Sequence, residues 1–434
     1  MFGLLSALVA ASIILVLIGA SIAASFGLGA VLIAWLHDIS MSATFSTMYS
    51  QVSGSALIAL PLFIYMGILV ERSGQGERLV DFVTVALGNI RGALGLVSVI
   101  GCAIFGAVSG SGSAAVAALG TVIIPRAAKA GYPKEYMVAV IACSSVLTLL
   151  IPPSIPMLVL ALATQISIAG AFLTTVLPGV VIIVGYCILN MWFVRRFPID
   201  ERASRGQTHM THRQEFRHYG KRAFWVALMP VFVLGSIYGG VASPTEAAGI
   251  GILYVVLLAF FIYRSLGVRS FVRATIDSGE MIGALIFMIG ALTLLSIVFL
   301  YQGIPFALGE VVSENLAPWQ ALLLMNVVLL VIGMIMDDIS GSIVAASVLY
   351  PVALDIGIDP LQFAAIVGVN LGLGNVTPPV APQLYLASAV AGNIPMNRYV
   401  GYVFGFLLLV NLPVLLLVTY WPAFSLALPR AMGF

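Results

Sequence analysis

The chain has 434 residues, 61% of them hydrophobic and only 8% charged. Soluble domains carry about 25% charged residues, so a water-soluble globular protein is excluded. Apolar runs of about 20 residues, enough to cross a bilayer, recur along nearly the whole length, while the net charge of +2 excludes nothing and only the placement of charges informs. The composition predicts an all-α polytopic membrane protein.

From the N-terminus, the first Lys or Arg is Arg72, so the basic n-region of a cleavable signal peptide is missing. A short amphipathic piece, 38–52, precedes the third span and reads as an interfacial helix or a plain loop. The segment 92–125 is too short for two clean spans and holds "SGSGS" (109–113) at its centre. It is expected to enter and leave the membrane on one side, as a re-entrant hairpin. The loop "PRAAKAGYPKEY" follows with Arg126, Lys129 and Lys134, and then an apolar run, 136–170, interrupted at "IPPSIP" (151–156). Proline has no N–H to donate inside a helix and its ring clashes with the preceding turn, so this run is a broken helix. The segment 195–222 has eight basic residues against three acidic ones. His209, His212 and His218 within it read as surface histidines rather than a metal site. Cys102, Cys143 and Cys187 lie in apolar runs and read as packing rather than disulfides or ligands.

The second half opens with spans at about 223–240 and 247–263, joined by "SPTEAAG" (243–249). There Ser243 suits an N-cap, Pro244 the first helical position, and Glu246 reaches back as in a capping box. Glu246 is therefore read as structural rather than as a transport residue. An arm, 264–280, carries Arg264, Arg269 and Arg273; the loop 302–318 has Glu310 and Glu314 and no base. A second short pair, 319–351, holds "DDISGS" (337–342), and a second broken run, 361–391, contains "GNVTPPVAPQLYLA" (374–387).

The two halves match. Shifted by 226 residues, Pro152, Pro153 and Pro156 fall on Pro378, Pro379 and Pro382, Pro125 on Pro351, and Gly131 on Gly357. With three more residues of offset, the "SGS" at 111–113 falls on "SGS" at 340–342. The loop with Arg126, Lys129 and Lys134 corresponds to "PVALDIGIDPLQ", which has Asp355 and Asp359 and no base. Lys and Arg collect in cytoplasmic loops, so the first loop is expected inside and its copy outside. That makes the repeat inverted, as in many secondary transporters. The boundaries read as 1–194 for the first repeat, 195–222 for a cytoplasmic basic loop, 223–420 for the second repeat and 421–434 for a periplasmic tail. The tally is about ten spans plus two re-entrant hairpins, with both termini outside.

Broken backbone at membrane depth is tolerated only where protein buries it or a cavity receives it. Freed carbonyls suit a cation and helix N-termini suit anions. Two serine-glycine tips meeting two broken helices would make one site. A single proline kink with packing glycines would explain one cluster; two copies at one offset favour a site. Asp337 and Asp338 are adjacent acids in a predicted intramembrane region, where charge is costly and marks function; the bland alternative is a wet tip in which one of them caps a half-helix.

The stretches "PLFIYMGILVERSG" (61–74), "GAVSGSGSAAVAALGTVIIPRAAKAGYPKEY" (106–136), "IPPSIP", "SPTEAAG" and "GIDPLQFAAIVGVNLGLGNVTPP" (357–379) resemble, in combination and order, the DctM-type large membrane subunit of tripartite ATP-independent periplasmic (TRAP) transporters. The resemblance covers essentially the whole chain. It implies Na+-driven import of an organic acid across the bacterial inner membrane by an elevator motion. It also implies a small four-helix membrane subunit and a periplasmic substrate-binding protein as partners, besides membrane lipid, and no nucleic acid. By that resemblance one Na+ site draws on Ser109, Ser111, Ser113 and the stretch Pro152–Ser154, and another on Asp337, Ser340, Gly374, Asn375 and Thr377. Substrate would contact Ser109, Ser111, Ser113, Ser154, Ser340, Ser342 and Thr377. Two departures stand out: Ala381, Pro382 and Gln383 replace the family's usual Gly and Asn after "TPP", and the turn 18–27 lacks a proline. The former bears on substrate contacts.

Other functions remain in view. A stand-alone Na+- or H+-coupled carboxylate or anion transporter would use the same site physics without a binding protein. A membrane-embedded enzyme would need a nucleophile with a base, or a metal cluster, and the intramembrane inventory is Ser, Thr and Asp without His. A channel is disfavoured because tips and broken helices make occluded sites.

Overall fold

In the computed structural model residues 18–87, 90–200 and 212–434 are described, with Ala11, Ile14 and Leu15 before them. The expected first span and His209 lie mostly or wholly outside these. The described residues are helical, without strands. Among the described residues, eight helices are long and apolar enough to cross a membrane. The figure falls below the ten expected spans partly because Ile22–Leu36 and Ala59–Arg72 are only 15 and 14 residues long. It includes both arms of the second hairpin, Pro318–Ile335 and Asp338–Asp355, which length alone cannot distinguish from true spans.

The helices sort into two bodies by their packing. Ile22–Leu36, Met41–Val52, Ala59–Arg72, His212–Tyr238, Pro244–Leu257 and Val268–Tyr301 pack on one another as a frame. The hairpins, the broken helices, Ile168–Val194 and the helices from Met396 to Ala431 pack together as a second body. Each half of the chain contributes to both. Gln75–Leu87 borders them, lying on His212–Tyr238 and on the hairpin helix Ala93–Ser109.

The repeat is visible in the element boundaries at a constant 226 residues. Gly112–Lys129 corresponds to Asp338–Asp355, Lys134 to Pro360 as a helix start, and Val194 to Tyr420 as a helix end. The extra three-residue offset suggested by the two "SGS" triplets is therefore a correction. Ser111, the N-cap of its helix, is structurally equivalent to Asp337, also an N-cap, and Ser340 sits one turn further in. Like motifs matched by letter were one helical turn out of register.

The side-chain contacts fix the sense of the repeat. One end gathers Arg72 with Asp277, Glu135 with Arg398 at 3.9 Å, Arg91 with the Phe197 carbonyl at 3.0 Å, and Tyr263 with the Arg222 carbonyl at 2.6 Å. The other gathers Asp359 with Arg430 at 3.9 Å, Tyr420 with the Trp319 carbonyl at 3.0 Å, and Gln362 with the Val418 and Thr419 carbonyls. The 25 residues Met396–Tyr420 run from the first end to the second, about 37 Å at 1.5 Å per residue. Hairpin 1 starts and finishes at the first end and hairpin 2 at the second, so their tips point toward each other.

Four local features not read from the sequence have plain causes. The arm 38–52 is a separate helix, Met41–Val52, ended by Ser53 and Gly54, whereas the arm 264–280 runs unbroken into its span as Val268–Tyr301. The basic segment becomes helical at His212, because Arg, Gln, Glu and Lys are good helix formers. The first broken helix stops at Thr164, where Gln165 turns to φ 58°. In hairpin 2 the outgoing helix widens to a π-helical turn at Ala345–Leu349, ahead of Pro351. That turn makes room for a ring that would otherwise press on the carbonyl four residues back.

Candidate functional site

The breaks come first. Lys134–Ser144 and Leu147–Leu150 end at Ile151, and the chain resumes as Ile155–Thr164. In the second half Pro360–Asn375 ends and Pro382–Val390 resumes, with Ala381 held at φ 42°. The Pro152–Pro153 and Pro378–Pro379 bonds are both cis. Interrupted backbone needs cover, and Lys134–Thr164 has it: its most apolar stretch is 83% buried, against 28% to 50% for the other long apolar helices. Pro360–Asn375 is likewise buried from Gln362 to Asn375.

Hairpin 1 turns at Gly110, φ 64°, which ends Ala93–Ser109. Ser111 then caps Gly112–Lys129, its Oγ accepting from Ala114 N–H at 3.3 Å. Ser109 Oγ accepts from Ser111 N–H at 3.4 Å, and the Ser111 and Ser113 hydroxyls lie 3.3 Å apart. The tip is pressed against the first break. A Cβ at Gly110 would sit 3.0 Å from the Pro153 carbonyl oxygen, and one at Gly106 would sit 2.5 Å from Thr148 Cα. Ser154, at the N-cap of the resumed helix, is 1% exposed, and its Oγ has no hydrogen-bond partner.

Hairpin 2 turns at Met336. Asp337 is exposed and caps Asp338–Val344, accepting from the N–H groups of Ile339 (3.1 Å) and Ser340 (3.3 Å) and from the Ser340 hydroxyl. The helix cap foreseen in the wet-tip alternative thus describes its local role. Ser342 is buried and donates to the Asp338 carbonyl at 2.7 Å. Asp338 points the other way, to Asn375 Nδ2 at the end of Pro360–Asn375. Thr377 folds its hydroxyl back onto the Leu373 carbonyl at 2.6 Å, and its N–H reaches the Gly374 carbonyl at 3.0 Å. Gly374 is locked against hairpin 2: a Cβ there would fall 2.6 Å from Gly333 backbone atoms.

The predicted residues thus gather in two groups. Ser109, Ser111, Ser113, Pro152 and Ser154 surround the first tip; Asp337, Ser340, Ser342, Gly374, Asn375 and Thr377 surround the second. Cross-packing joins the groups. Ile155–Thr164 lies on Asp338–Val344, and Gly112–Lys129 lies on Pro382–Val390. Each hairpin therefore touches the resumed helix of the other repeat.

Sequence reasoning undervalued Asp338, missed Thr148, and noted Gln383 only as part of a departure from the family pattern. Thr148 Oγ donates to the Ser145 carbonyl at 2.7 Å beneath Gly112. Gln383 brings its Nε2 to 3.4 Å from where a Gly112 Cβ would be. Frame contacts were missed too. Gly67 lies against the Ser109 carbonyl, a Cβ there falling 2.7 Å from it, and Met288 Sδ lies 2.9 Å from the Ser340 hydroxyl oxygen. Among the described residues no group of three or more His, Cys, Asp or Glu could hold a metal ion. Cation ligands here would have to be mainly hydroxyls and carbonyls.

Known proteins place this arrangement. The solved structure of the Alcanivorax borkumensis YdaH transporter aligns with a TM-score of 0.62 at 14% identity, covering 88% of each chain, a likeness of fold. The C4-dicarboxylate TRAP transporter large permease protein DctM of Pseudomonas aeruginosa is 34% identical over 87% of each chain. Its namesake from Rhodobacter capsulatus is 33% identical over 99% of this chain and all of its own length. Residues 9–424 match the model of the DctM component of tripartite ATP-independent periplasmic transporters. These relatives are transporter permeases rather than enzymes, and this chain belongs to the DctM family, as the large permease subunit of a TRAP transporter.

Proposed function

We propose that this permease imports an organic acid across the bacterial inner membrane, driven by Na+, with both termini in the periplasm. The observation that supports it most is the reciprocal meeting of the two hairpin tips with the two broken helices inside one packed body. That geometry gathers carbonyls, hydroxyls and helix N-termini at membrane depth, shielded from lipid. One Na+ would lie among Ser109, Ser113 and Pro152, the other among Asp337, Ser340, Gly374, Asn375 and Thr377. Asp338 is added to the second set because Asn375 bonds it. Substrate would meet the serines of both tips, Ser154 and Thr377. The frame and the site body would slide past one another as an elevator, at the contacts of Gly67 with Ser109 and Met288 with Ser340.

The partners would be a small four-helix membrane subunit and a periplasmic binding protein that delivers the cargo. Relatives from Halomonas elongata and Vibrio cholerae are named for ectoine and for sialic acid, so the family name alone does not fix the cargo. Uptake into proteoliposomes containing this chain and its small subunit tests the reading, with and without a Na+ gradient and the binding protein. Uptake that needs both supports it. Na+-dependent uptake of free substrate would make this a stand-alone transporter. Asp337→Asn and Ser111→Ala are each expected to abolish coupled uptake in folded protein, and normal transport by both would displace the site.

A further inference from the structure

We infer that the permease binds a phosphate group at the end that carries the basic segment, in a cleft between Gln75–Leu87 and His212–Tyr238, away from the hairpin tips. Arg78 and Arg222 hold it. In the topology proposed above that end faces the cytoplasm. Phosphate groups reach it there from two sources, the headgroups of the inner leaflet and soluble phosphorylated metabolites. The site depends neither on Na+ coupling nor on the cargo.

The cleft has a volume of about 190 Å3, and Gly74, Glu77, Arg78, Asp81, Tyr219 and Arg222 line it. Its two walls are packed on each other: the Phe82 and Phe216 rings lie 5.2 Å apart, and a Cβ at Gly220 would sit 3.3 Å from the Phe82 ring. Tyr263 anchors both arginines. Its ring lies 4.0 Å from the Arg78 guanidinium, and its hydroxyl donates to the Arg222 carbonyl at 2.6 Å. A guanidinium stacked on a ring by its face keeps its edge N–H groups for acceptors.

Among the described residues neither arginine is in an ion pair; those that are paired are Arg72, Arg126, Arg398 and Arg430. Arg78 Nε is buried without a partner. Burial and the nearby Arg222 together push the Arg78 guanidinium below its ordinary value, against the pull of Tyr263 and Glu77. Both arginines stay charged near neutral pH, so like charges face one space, and an anion bridging them would remove the repulsion. The acids of the cleft do not cancel them. Asp81 is 3.8 Å from Arg126, and Glu77 is exposed. An adjoining cavity of about 90 Å3 shares Glu77 and Asp81 and reaches Arg126. Across the pair, three guanidinium groups stand against two carboxylates. The first turn of Gln75–Leu87, which begins beside Gly74, adds positive potential. A carboxylate presents one edge, enough for one guanidinium. A phosphate is tetrahedral and presents oxygens to two arginines from different sides.

The test uses the chain with its small subunit, stripped of lipid in detergent. Its melting temperature is followed in inorganic phosphate against chloride at equal ionic strength. Native mass spectrometry then counts the phosphatidylglycerol that stays bound after that lipid is added back. Arg222→Gln removes one charge and leaves the Arg78–Tyr263 stack; Arg78→Gln removes the other; Arg398→Gln, at the same end, is the control. One supporting result is a phosphate-dependent rise in melting temperature whose half-maximal concentration climbs about tenfold or more in Arg222→Gln and Arg78→Gln but not in Arg398→Gln, the scale of one hydrogen bond to a charged group. That result makes the ligand soluble. The other is a phospholipid held by wild type and Arg398→Gln and lost from Arg222→Gln, which makes it a headgroup. Should Arg78→Gln fail to fold for want of its stack, Arg222→Gln carries the test alone. In chloride Arg222→Gln should melt no lower than wild type, because it relieves a repulsion. A wild type that responds to neither probe, or a response that Arg222→Gln retains in full, overturns the inference.

Discussion

At the first hairpin tip a serine hydroxyl caps the outgoing helix; at the second, 226 residues on, an aspartate carboxylate does the same work. Both satisfy the N–H groups that a helix start leaves free. They differ in field. The N-terminus of a helix carries about half a positive charge, which a neutral serine leaves in place and a carboxylate more than cancels. The helix start at the first tip would thus suit an anion, beside the Na+ proposed among Ser109, Ser113 and Pro152, and the second tip, with Asp337 and Asp338 together, would suit a cation. One backbone frame, repeated in opposite senses, can receive a carboxylate on one side and Na+ on the other by changing the cap.

The severest challenge to the comparison is steric. Gly374→Val would push a side chain into Gly333 backbone, where nothing flexible can yield. It should cost ~3 kcal/mol or more, the upper range of overpacking, and abolish folded protein in a thermal melt. Exchanging the caps is more discriminating. Ser111→Asp and Asp337→Ser should each fold normally, since the two residues cap about equally well. Ser111→Asp should still bind Na+ but lose more than about tenfold in uptake, through repulsion of an anionic cargo at close range. Asp337→Ser, which like Asp337→Asn removes the carboxylate, should abolish Na+-coupled uptake. If both exchanges leave uptake unchanged, the field argument fails.

A milder probe lies at the hairpin bases. Tyr136 donates to Asn190 Oδ1 at 2.7 Å, and Asn190 donates to the Gly92 carbonyl at 3.0 Å, tying the first broken helix to the start of its hairpin. In the second half Gln362 replaces Tyr136 and reaches the Val418 and Thr419 carbonyls. Tyr136→Phe should lower stability by ~1–3 kcal/mol, the cost of an unpaired buried acceptor, read as a lower melting temperature. The smallest expected effect concerns Asp81, 3.8 Å from Arg126 and thus joining the border helix to hairpin 1. Burial raises its carboxyl above the ordinary range, against the pull of Arg126 and Arg222. A raised acid binds its proton more tightly in the folded state, so its contribution to stability falls as pH climbs from the ordinary aspartate value through the raised one. The contact with Arg126 is ionic only above that. Asp81→Asn should flatten the acid-side limb of an uptake–pH profile, and an unchanged profile would remove Asp81 from it.

Much of the architecture could be read from prolines and charges, because backbone breaks and Lys or Arg asymmetry are one-residue signals. Pro152, Pro153, Pro378 and Pro379 marked the breaks, and the opposite charge of the loops after Pro125 and Pro351 gave the inversion that the pairings at the two ends show. Identical letters misled where function is carried by position. The "SGS" triplets invited a register in which Ser111 matched Ser340, yet what a helix start needs is any short acceptor, and Asp337 meets that need. Thr148 was not legible, and Gln383 stood out only as part of a departure from the family pattern, because their contacts come from cross-repeat packing. No periodicity along the chain reports which residue of the last third will face a glycine near its start.

The crossed packing of hairpin 1 on Pro382–Val390 also has a bearing on biosynthesis. Gln383 is made 271 residues after Gly112, a delay of about 15–50 s at 5–20 residues per second. Throughout that interval the first break sits in the bilayer with part of its cover still on the ribosome. Nascent chains that stall in the second half would expose polar backbone to lipid, and quality-control proteases that recognise such exposure would meet this permease at its most vulnerable.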